Sequence, residues 1–479
     1  MRRTSSALVL AACTLLGQVN TSSAQSAPYR PQRFDYQSDE LYEKSLRYDL
    51  DYLESMFLVA NLSFDTVAGS RERFRAELAQ LRGRLPGLSY GQFVMGISKA
   101  VAAADDGHTS VIWEGLRSAP IRVAWFGDEL RIVMTTAAQQ KLLGARILAI
   151  ADRPVDAILA TMSQYIPGSD ERVKAQSVQL FSSPDALHGM GVLTSPERLP
   201  LTLRLANGAR HAVVLEPRVA PERAGRMPWQ DVVPTHSLRP AGWLHVLDEL
   251  SNLPVYLQEG DRFYGVAQQP GLENVFYYRA RVTRDQDTAI VAAGGSVKTP
   301  TMPLREDLLI NGIGAMAERQ QPFAHAIIDF RYNYGGNYFN FVEFAQALPG
   351  LLAPDARVFI ITNNHTFSAA IAATALLKHY AQGAGVIIGE RVGDRDKFWA
   401  ETVPITLPAS GLSVKAARGY HDWATGCKAA AEAPCWGINR VLSVPAGSLA
   451  PDVEVVTTFA DYVAGRDPVI EKIRSLIGS

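Results

Sequence analysis

A serine at the head of one helix and a glycine pair after a neighbouring strand are the features of this chain that could do chemistry together. The first unit reads Ile327-Ile328-Asp329-Phe330-Arg331-Tyr332-Asn333-Tyr334-Gly335-Gly336-Asn337, followed by helical sequence from Phe341 to Leu348. The second reads Val358-Phe359-Ile360-Ile361-Thr362, the turn Asn363-Asn364-His365-Thr366-Phe367, then Ser368-Ala369-Ala370 opening an Ala-rich run to Tyr380. A Gly pair frees backbone N–H groups, and a hydroxyl at a helix N-terminus sits at the positive end of the helix dipole. A nucleophile beside an oxyanion hole is the equipment of acyl transfer.

Each residue also has an ordinary reading. Ser368 taken alone is a common N-cap, and the chain has no Gly-x-Ser-x-Gly elbow. Gly335 and Gly336 fit any turn that needs positive φ, although the end of a buried parallel strand is also where open α/β sheets bind ligands. Nine histidines occur, and most histidines are structural. His108 stands out because the turn Asp105-Asp106-Gly107-His108-Thr109 presents its imidazole, with Asp105 or Asp106 available to orient it as a base. His365, three residues before Ser368, reads as loop structure or a substrate contact. Metal and cofactor motifs are lacking: there is no His-Glu-x-x-His, no Cys-x-x-Cys and no Walker loop, and Gly312-Ile313-Gly314 lacks a third glycine. No cofactor and no metal are expected.

The elements that must position these residues change character along the chain. From Ser38 to about Ala104 the pattern is helical, with Leu46, Leu50, Leu53 and Phe57, then Phe74, Leu78 and Leu81, near 3.6 spacing. Next come Ile121–Phe126, a Gly127-Asp128 turn and Leu130–Met134, a hairpin pattern. Gly144 to Val155 runs into a helix at 156–163, and strands are expected at 199–204 and 211–215. Residues 216–260 are Pro-rich and read as a connection with some strand. From Ala324, strands at 325–330, 357–362 and 385–389 alternate with helices at 338–348 and 368–381, which predicts βαβ units and a largely parallel sheet.

At 479 residues the chain is long enough for two or three domains. With 47 basic and 48 acidic residues, net −1, it has no global charge that would draw nucleic acid or an anionic membrane. Arg2 and Arg3, the apolar run Ala7 to Gly17 and the small residues Ser22-Ser23-Ala24 read as a signal peptide, too short to span a bilayer. Cleavage after Ala24 would leave a mature chain beginning at Gln25, exported to a periplasm or secreted. The alternative is a lipobox at Leu10-Ala11-Ala12-Cys13, with Cys13 as a lipid anchor. In an oxidising compartment, Cys427 and Cys435, eight apart, are expected to form a disulfide closing a surface loop.

Four segments together carry a resemblance. Asp106-Gly107-His108-Thr109, Asp329 to Gly336, Thr366-Phe367-Ser368-Ala369-Ala370 and Gly389-Glu390-Arg391-Val392-Gly393 occur in the order seen in the S41 peptidases. That family includes C-terminal processing proteases, tricorn protease and the repeats of interphotoreceptor retinoid-binding protein. Ala450 to Val455 looks like the family's closing Pro-Asp-x-x-Val, and Gly144 to Val155 resembles its PDZ-like part. The resemblance spans roughly residues 40–460. It implies an α/β fold with a crotonase-like α/β catalytic core, an N-terminal helical domain and a PDZ-like β domain. The expected division is a signal peptide at 1–24, a linker at 25–37, the helical domain at 38–113, the PDZ-like domain at 114–215, the core at 216–465 and a tail at 466–479.

The resemblance places the nucleophile on Ser368 and oxyanion donors on Ala369 N–H and the Gly335-Gly336 turn. In processing proteases the base is a lysine at the position held here by Arg395, which stays protonated. Lys397 lies two residues beyond it. The Gly-His-Thr segment instead looks like the tricorn-type arrangement, with His108 as general base. Ile371 replaces the acid that follows the nucleophile in processing proteases, Glu401 is a candidate for the later tricorn-type acid, and Glu390 is expected to support its loop. The implied function is an exported serine peptidase acting on peptide or protein substrates. The alternatives are a catalytically inactive ligand- or peptide-binding protein of the same fold, or an esterase or amidase for small substrates.

Overall fold

A computed structural model describes residues 39–220, 227–234, 239–258, 272, 274–279, 289–292, 295–298, 312–427 and 435–478. The segments read as leader and linker, with Cys13 and Gln25, lie outside the described residues. The fold is mixed α/β, with several sheets.

The chain enters through helices α1 (Asp39–Ala60), α2 (Ser70–Arg84) and α3 (Tyr90–Val101). Leu46, Leu50, Leu53 and Phe57 of α1 are buried against Phe74, Leu78 and Leu81 of α2, because 3.6 spacing puts each set on one face. Ser89 and Gln92 form a reciprocal capping box that starts α3. This cluster is closed by distant chain, as Ile405, Leu407, Leu412, Val414 and Ala416 join it. Asp49 on α1 accepts the N–H groups of Ala409 and Ser410, each at 2.7 Å.

Strands β1 (Ile121–Phe126), β2 (Glu129–Thr136) and β3 (Arg146–Ile150) follow, then helix α4 (Asp170–Phe181), β4 (Leu199–Arg204) and β5 (Arg210–Leu215). Among the described residues these strands form an antiparallel sheet in the order β1-β2-β3-β4-β5. Trp243–His245, in the Pro-rich stretch, adds to this sheet beside β2. Helix α4 lies on β1, where Trp125 Nε1 donates to Ser177 Oγ at 3.0 Å.

The second large sheet is parallel. It contains β6 (Val275–Arg279), β7 (His325–Asp329), β8 (Val358–Thr362), β9 (Gly385–Gly389) and β10 (Val453–Glu454), in the order β10-β9-β8-β7-β6. Helix α5 (Phe339–Ala347) separates β7 from β8, α6 (Ala369–Tyr380) separates β8 from β9, and α7 (Pro468–Ile477) closes the described chain. Strand alternation sends Ala326, Ile328, Val358 and Ile360 into one cluster with α5 and α6. Ile327, Phe359 and Ile361 enter another, with Val469, Ile470 and Ile473 of α7. Burial on both faces explains the uninterrupted apolar runs. The expected strands at 325–330, 357–362 and 385–389 differ from the observed ones by a residue or less at each end.

A buried ion network ties α7 to the sheet. Arg331, just after β7, grips Asp329 with Nη2 at 2.6 Å and Asp467 with Nη2 at 2.8 Å. Asp467 also accepts from Val469 and Ile470 N–H, capping α7.

Candidate active site

The turn after β8 is pinned before it reaches Ser368. Thr366 Oγ1 donates to Phe330 O at 3.0 Å, and Asn363 Oδ1 accepts from His365 N–H at 3.1 Å. Ser368 then takes φ 56°, ψ −123°, a conformation that L residues rarely adopt, and its side chain makes no cap hydrogen bond. An ordinary N-cap serine has extended φ/ψ and bonds the helix N–H groups. Ser368 does neither. Backbone strain of this kind costs about 1–3 kcal/mol and collects at functional sites. Ala369 is the first residue of α6, so its N–H belongs to the donors that have no partner inside the helix.

Gly335 is pressed against this turn with φ 101°, and Gly336 follows it at φ 129°. A Cβ on Gly335 would stand 2.6 Å from Ser368 Cβ and 2.7 Å from Ala369 N. The glycine is therefore required by space as well as by φ. Its own N–H is bonded to Asn333 Oδ1 at 3.0 Å. Of the glycine pair, Gly335 supplies the room beside Ser368.

His108 reaches the serine turn through stacking. Its ring lies on Phe367, the residue before Ser368, with centroids 4.3 Å apart, and its other neighbour is Phe398 at 5.3 Å. Burial lowers the His108 pKa below its ordinary value of 6.5, and the carboxylate of Asp394 partly offsets this. Asp394 Oδ2 stands 3.7 Å from His108 Nδ1. That separation is too long for a hydrogen bond. Asp394 is itself buried, and its loop is held to the serine turn by Gly393 N–H donating to Thr366 O at 2.8 Å. Gly107 is needed here too: a Cβ on it would lie 2.4 Å from Asp394 Oδ2.

The acids expected to orient His108 are occupied elsewhere. Asp106 Oδ1 accepts the backbone N–H groups of His108 and Thr109 at 3.1 and 2.7 Å, and burial raises its pKa to about 7. Asp105 pairs with Arg395 at 2.8 Å. Arg395, in the lysine position, thus braces the start of the histidine loop. Lys397 pairs with Asp422 at 2.9 Å and is half exposed. Glu401 contacts His421 at 3.4 Å, and His421 stacks on Phe398 at 5.2 Å. Phe398 is thus stacked with both histidine rings. His365 is buried and pushed down to about 3, a neutral ring in the turn.

Glu390 is raised to about 7 by burial. It lines a cavity of about 50 Å³ with His365, Arg331, Tyr332 and residues of β1, at the carboxyl ends of the parallel strands. Its backbone O accepts from Thr362 Oγ1 at 2.6 Å, so it braces the strand ends. Cys427 and Cys435 are disulfide-bonded with Cα atoms 5.9 Å apart. Among the described residues no cluster of three metal-ligating side chains occurs, and no helix is long and apolar enough to cross a membrane.

The structure brings Gly335 against Ser368 and Ala369 and stacks His108 on Phe367, and it places beside His108 a residue the sequence did not single out, Asp394. The available signal was the glycine before it: Gly393 fits under Asn364 O, where a Cβ would stand at 2.4 Å.

No family model matches the chain, and no curated protein does. Among solved structures, mature CPAF aligns with a TM-score of 0.53 at 14% identity, over 91% of this chain and 97% of that one. The fold is shared with CPAF. The same protein complexed with lactacystin gives 0.53 at 13% identity, over 91% and 98%. The photosystem II D1 C-terminal processing protease aligns at 0.36 and 14% identity, over 91% and 98%. These structural neighbours are S41-type peptidases.

Proposed function

We propose that the chain is an exported serine peptidase acting through an acyl-enzyme on Ser368. The observation that carries this reading is Ser368 itself, strained at φ 56°, without a cap hydrogen bond, and with Gly335 fitted against it. Asp394 faces His108 Nδ1, so Nε2 is the nitrogen left to take a proton. In the first step Ser368 Oγ attacks the scissile carbonyl carbon while His108 takes the hydroxyl proton. Ala369 N–H and Gly336 N–H receive the oxyanion. Collapse expels the amine, which carries off the proton from His108, and water then cleaves the ester by the same route. Asp394 stabilises the imidazolium formed between these transfers. Aromatic walls at Phe367 and Phe398 exclude water from it. Peptide or protein substrates follow from the resemblance to S41 peptidases. The Cys427–Cys435 bridge supports an oxidising compartment.

The test is intact mass after treatment with a fluorophosphonate, beside Ser368→Ala. One adduct on the wild type and none on the variant is the expected result. A folded wild type that takes no adduct would instead favour a ligand-binding role for the same fold.

A further inference from the structure

Arg172 on α4 stands where three pieces of the candidate site meet. Its residue is 8% exposed, so its charge must be met by partners inside the protein. Nε donates to Gly107 O at 3.1 Å. Nη1 donates to Tyr334 Oη at 2.5 Å. The guanidinium carbon lies 3.8 Å from the centre of the Phe367 ring, a cation–π contact. Each partner immediately precedes a residue of the site: Gly107 before His108, Tyr334 before Gly335, Phe367 before Ser368.

The helix that carries Arg172 is itself set firmly. Ser169 caps it by accepting Arg172 N–H at 3.2 Å. Just before it, Gly168 approaches the histidine loop so closely that a Cβ there would stand 2.9 Å from Gly107 Cα. One turn along, Gln176 also bonds Tyr334 Oη. Residues four apart share a helix face, so the tyrosine hydroxyl is held by two side chains of one surface. The opposite anchorage of α4 is the antiparallel sheet, through Trp125 and Ser177.

We propose that Arg172 is a positioning residue that holds the base loop, the glycine turn and the nucleophile turn in one register, and so couples the site's geometry to the docking of α4 on the antiparallel sheet. This rests on the peptidase reading for its catalytic consequence, but the strut itself is independent of it. Only a planar fork can serve Gly107 O and Tyr334 Oη at once while stacking on Phe367. A lysine offers a single point charge and cannot.

Two variants separate geometry from charge. Arg172→Lys keeps the charge and loses the fork; Arg172→Met keeps the stem and loses both. Two readouts are needed: the fluorophosphonate labelling rate per folded protein, and the titration of the His108 imidazole by NMR. Asp394, Arg172 and His421 are the charged or titratable groups that act on that ring. Both variants should label about tenfold to a hundredfold more slowly, the loss that follows from a misplaced catalytic group. The His108 midpoint should rise in Arg172→Met, where a repelling charge is gone, and stay near wild type in Arg172→Lys. Tyr334→Phe removes only the shared hydroxyl and should slow labelling in the same direction, which keeps the test open if Arg172→Met does not fold. Variants that lose thermal stability yet label at the wild-type rate, with His108 titrating unchanged, would overturn the proposal. A wild type that takes no adduct would sink the peptidase reading alone. Backbone amide shifts would still decide the strut: shifts of His108, Gly335 and Ser368 left unchanged in both Arg172→Lys and Arg172→Met would refute it.

Discussion

Replacing Gly335 by alanine tests the closest contact in the candidate site. The new Cβ would stand 2.6 Å from Ser368 Cβ, 2.7 Å from Ala369 N and 2.8 Å from Phe367 O. Carbon atoms rest at about 3.5–4.0 Å, so the glycine turn and the serine turn must part by about 1 Å. None of the three neighbours is the free end of a flexible side chain, so the shift falls on backbone. A displacement of that size at a reacting centre costs about a hundredfold in rate, or about 2.7 kcal/mol. Alanine at φ 101° adds about 1–2 kcal/mol of backbone strain to the folded state. Gly208 provides the control. It has φ 84° with nothing within 4 Å of its Cβ position, so Gly208→Ala carries the strain without the clash. Labelling by a fluorophosphonate, followed by intact mass, should slow about a hundredfold in Gly335→Ala and stay at the wild-type rate in Gly208→Ala. Both should lose thermal stability. If Gly335→Ala labels as fast as Gly208→Ala, the glycine turn does not form a wall of the reaction centre, and the oxyanion assignment goes with it.

Asp394→Asn should lower kcat/KM by about 10²–10⁴, as removal of the acid that supports a catalytic histidine does. The base works only when neutral, so activity is present above the folded pKa of His108 and lost as pH falls through it. Burial sets that pKa below 6.5, and the acid limb of the wild type should lie there. It should move lower still in Asp394→Asn, which removes the carboxylate that raises it; an upward move would contradict the assignment. Lys397→Ala should keep activity to within about twofold, the usual effect of a surface change, because its ammonium is paired with Asp422; abolished activity would restore a lysine base. Asp467→Ala leaves buried Arg331 without one of its two carboxylates. It should cost about 3–5 kcal/mol in urea unfolding, whereas a loss under 1 kcal/mol would show that Asp329 alone satisfies the guanidinium. Burial pushes the Asp329 carboxyl up, but Arg331 outweighs it and holds it below its ordinary 3.8. Its contribution to stability is therefore present above that value and fades as pH falls through the folded pKa.

What the sequence made legible and what it hid divide along the range of the interactions. Strands β7, β8 and β9 and helix α6 were readable as short apolar runs set apart by turns, because both faces of the sheet are buried. The order of motifs was readable too, since it needs no geometry. Pairing across the site was not. Asp105 and Asp106 looked like natural partners for His108 because they are two or three residues away. In a tight turn a short acidic side chain bonds the backbone N–H groups just ahead of it. Asp106 does so with His108 and Thr109. The same rule hid the state of Gly335, whose N–H is taken by Asn333 two residues earlier. Local polar side chains are thus consumed by local backbone. The groups that come to the His108 loop arrive from distant parts of the chain, Asp394 beside His108 and Arg172 from a helix 65 residues away from Gly107. A glycine with no room for a Cβ marks such an arrival. Gly107 lies under Asp394, Gly168 under Gly107 and Gly393 under Asn364. The three are spread over the chain and say in one dimension only that something passes close by. Which atom passes is a property of the fold, as the approach of Asp394 to His108 illustrates.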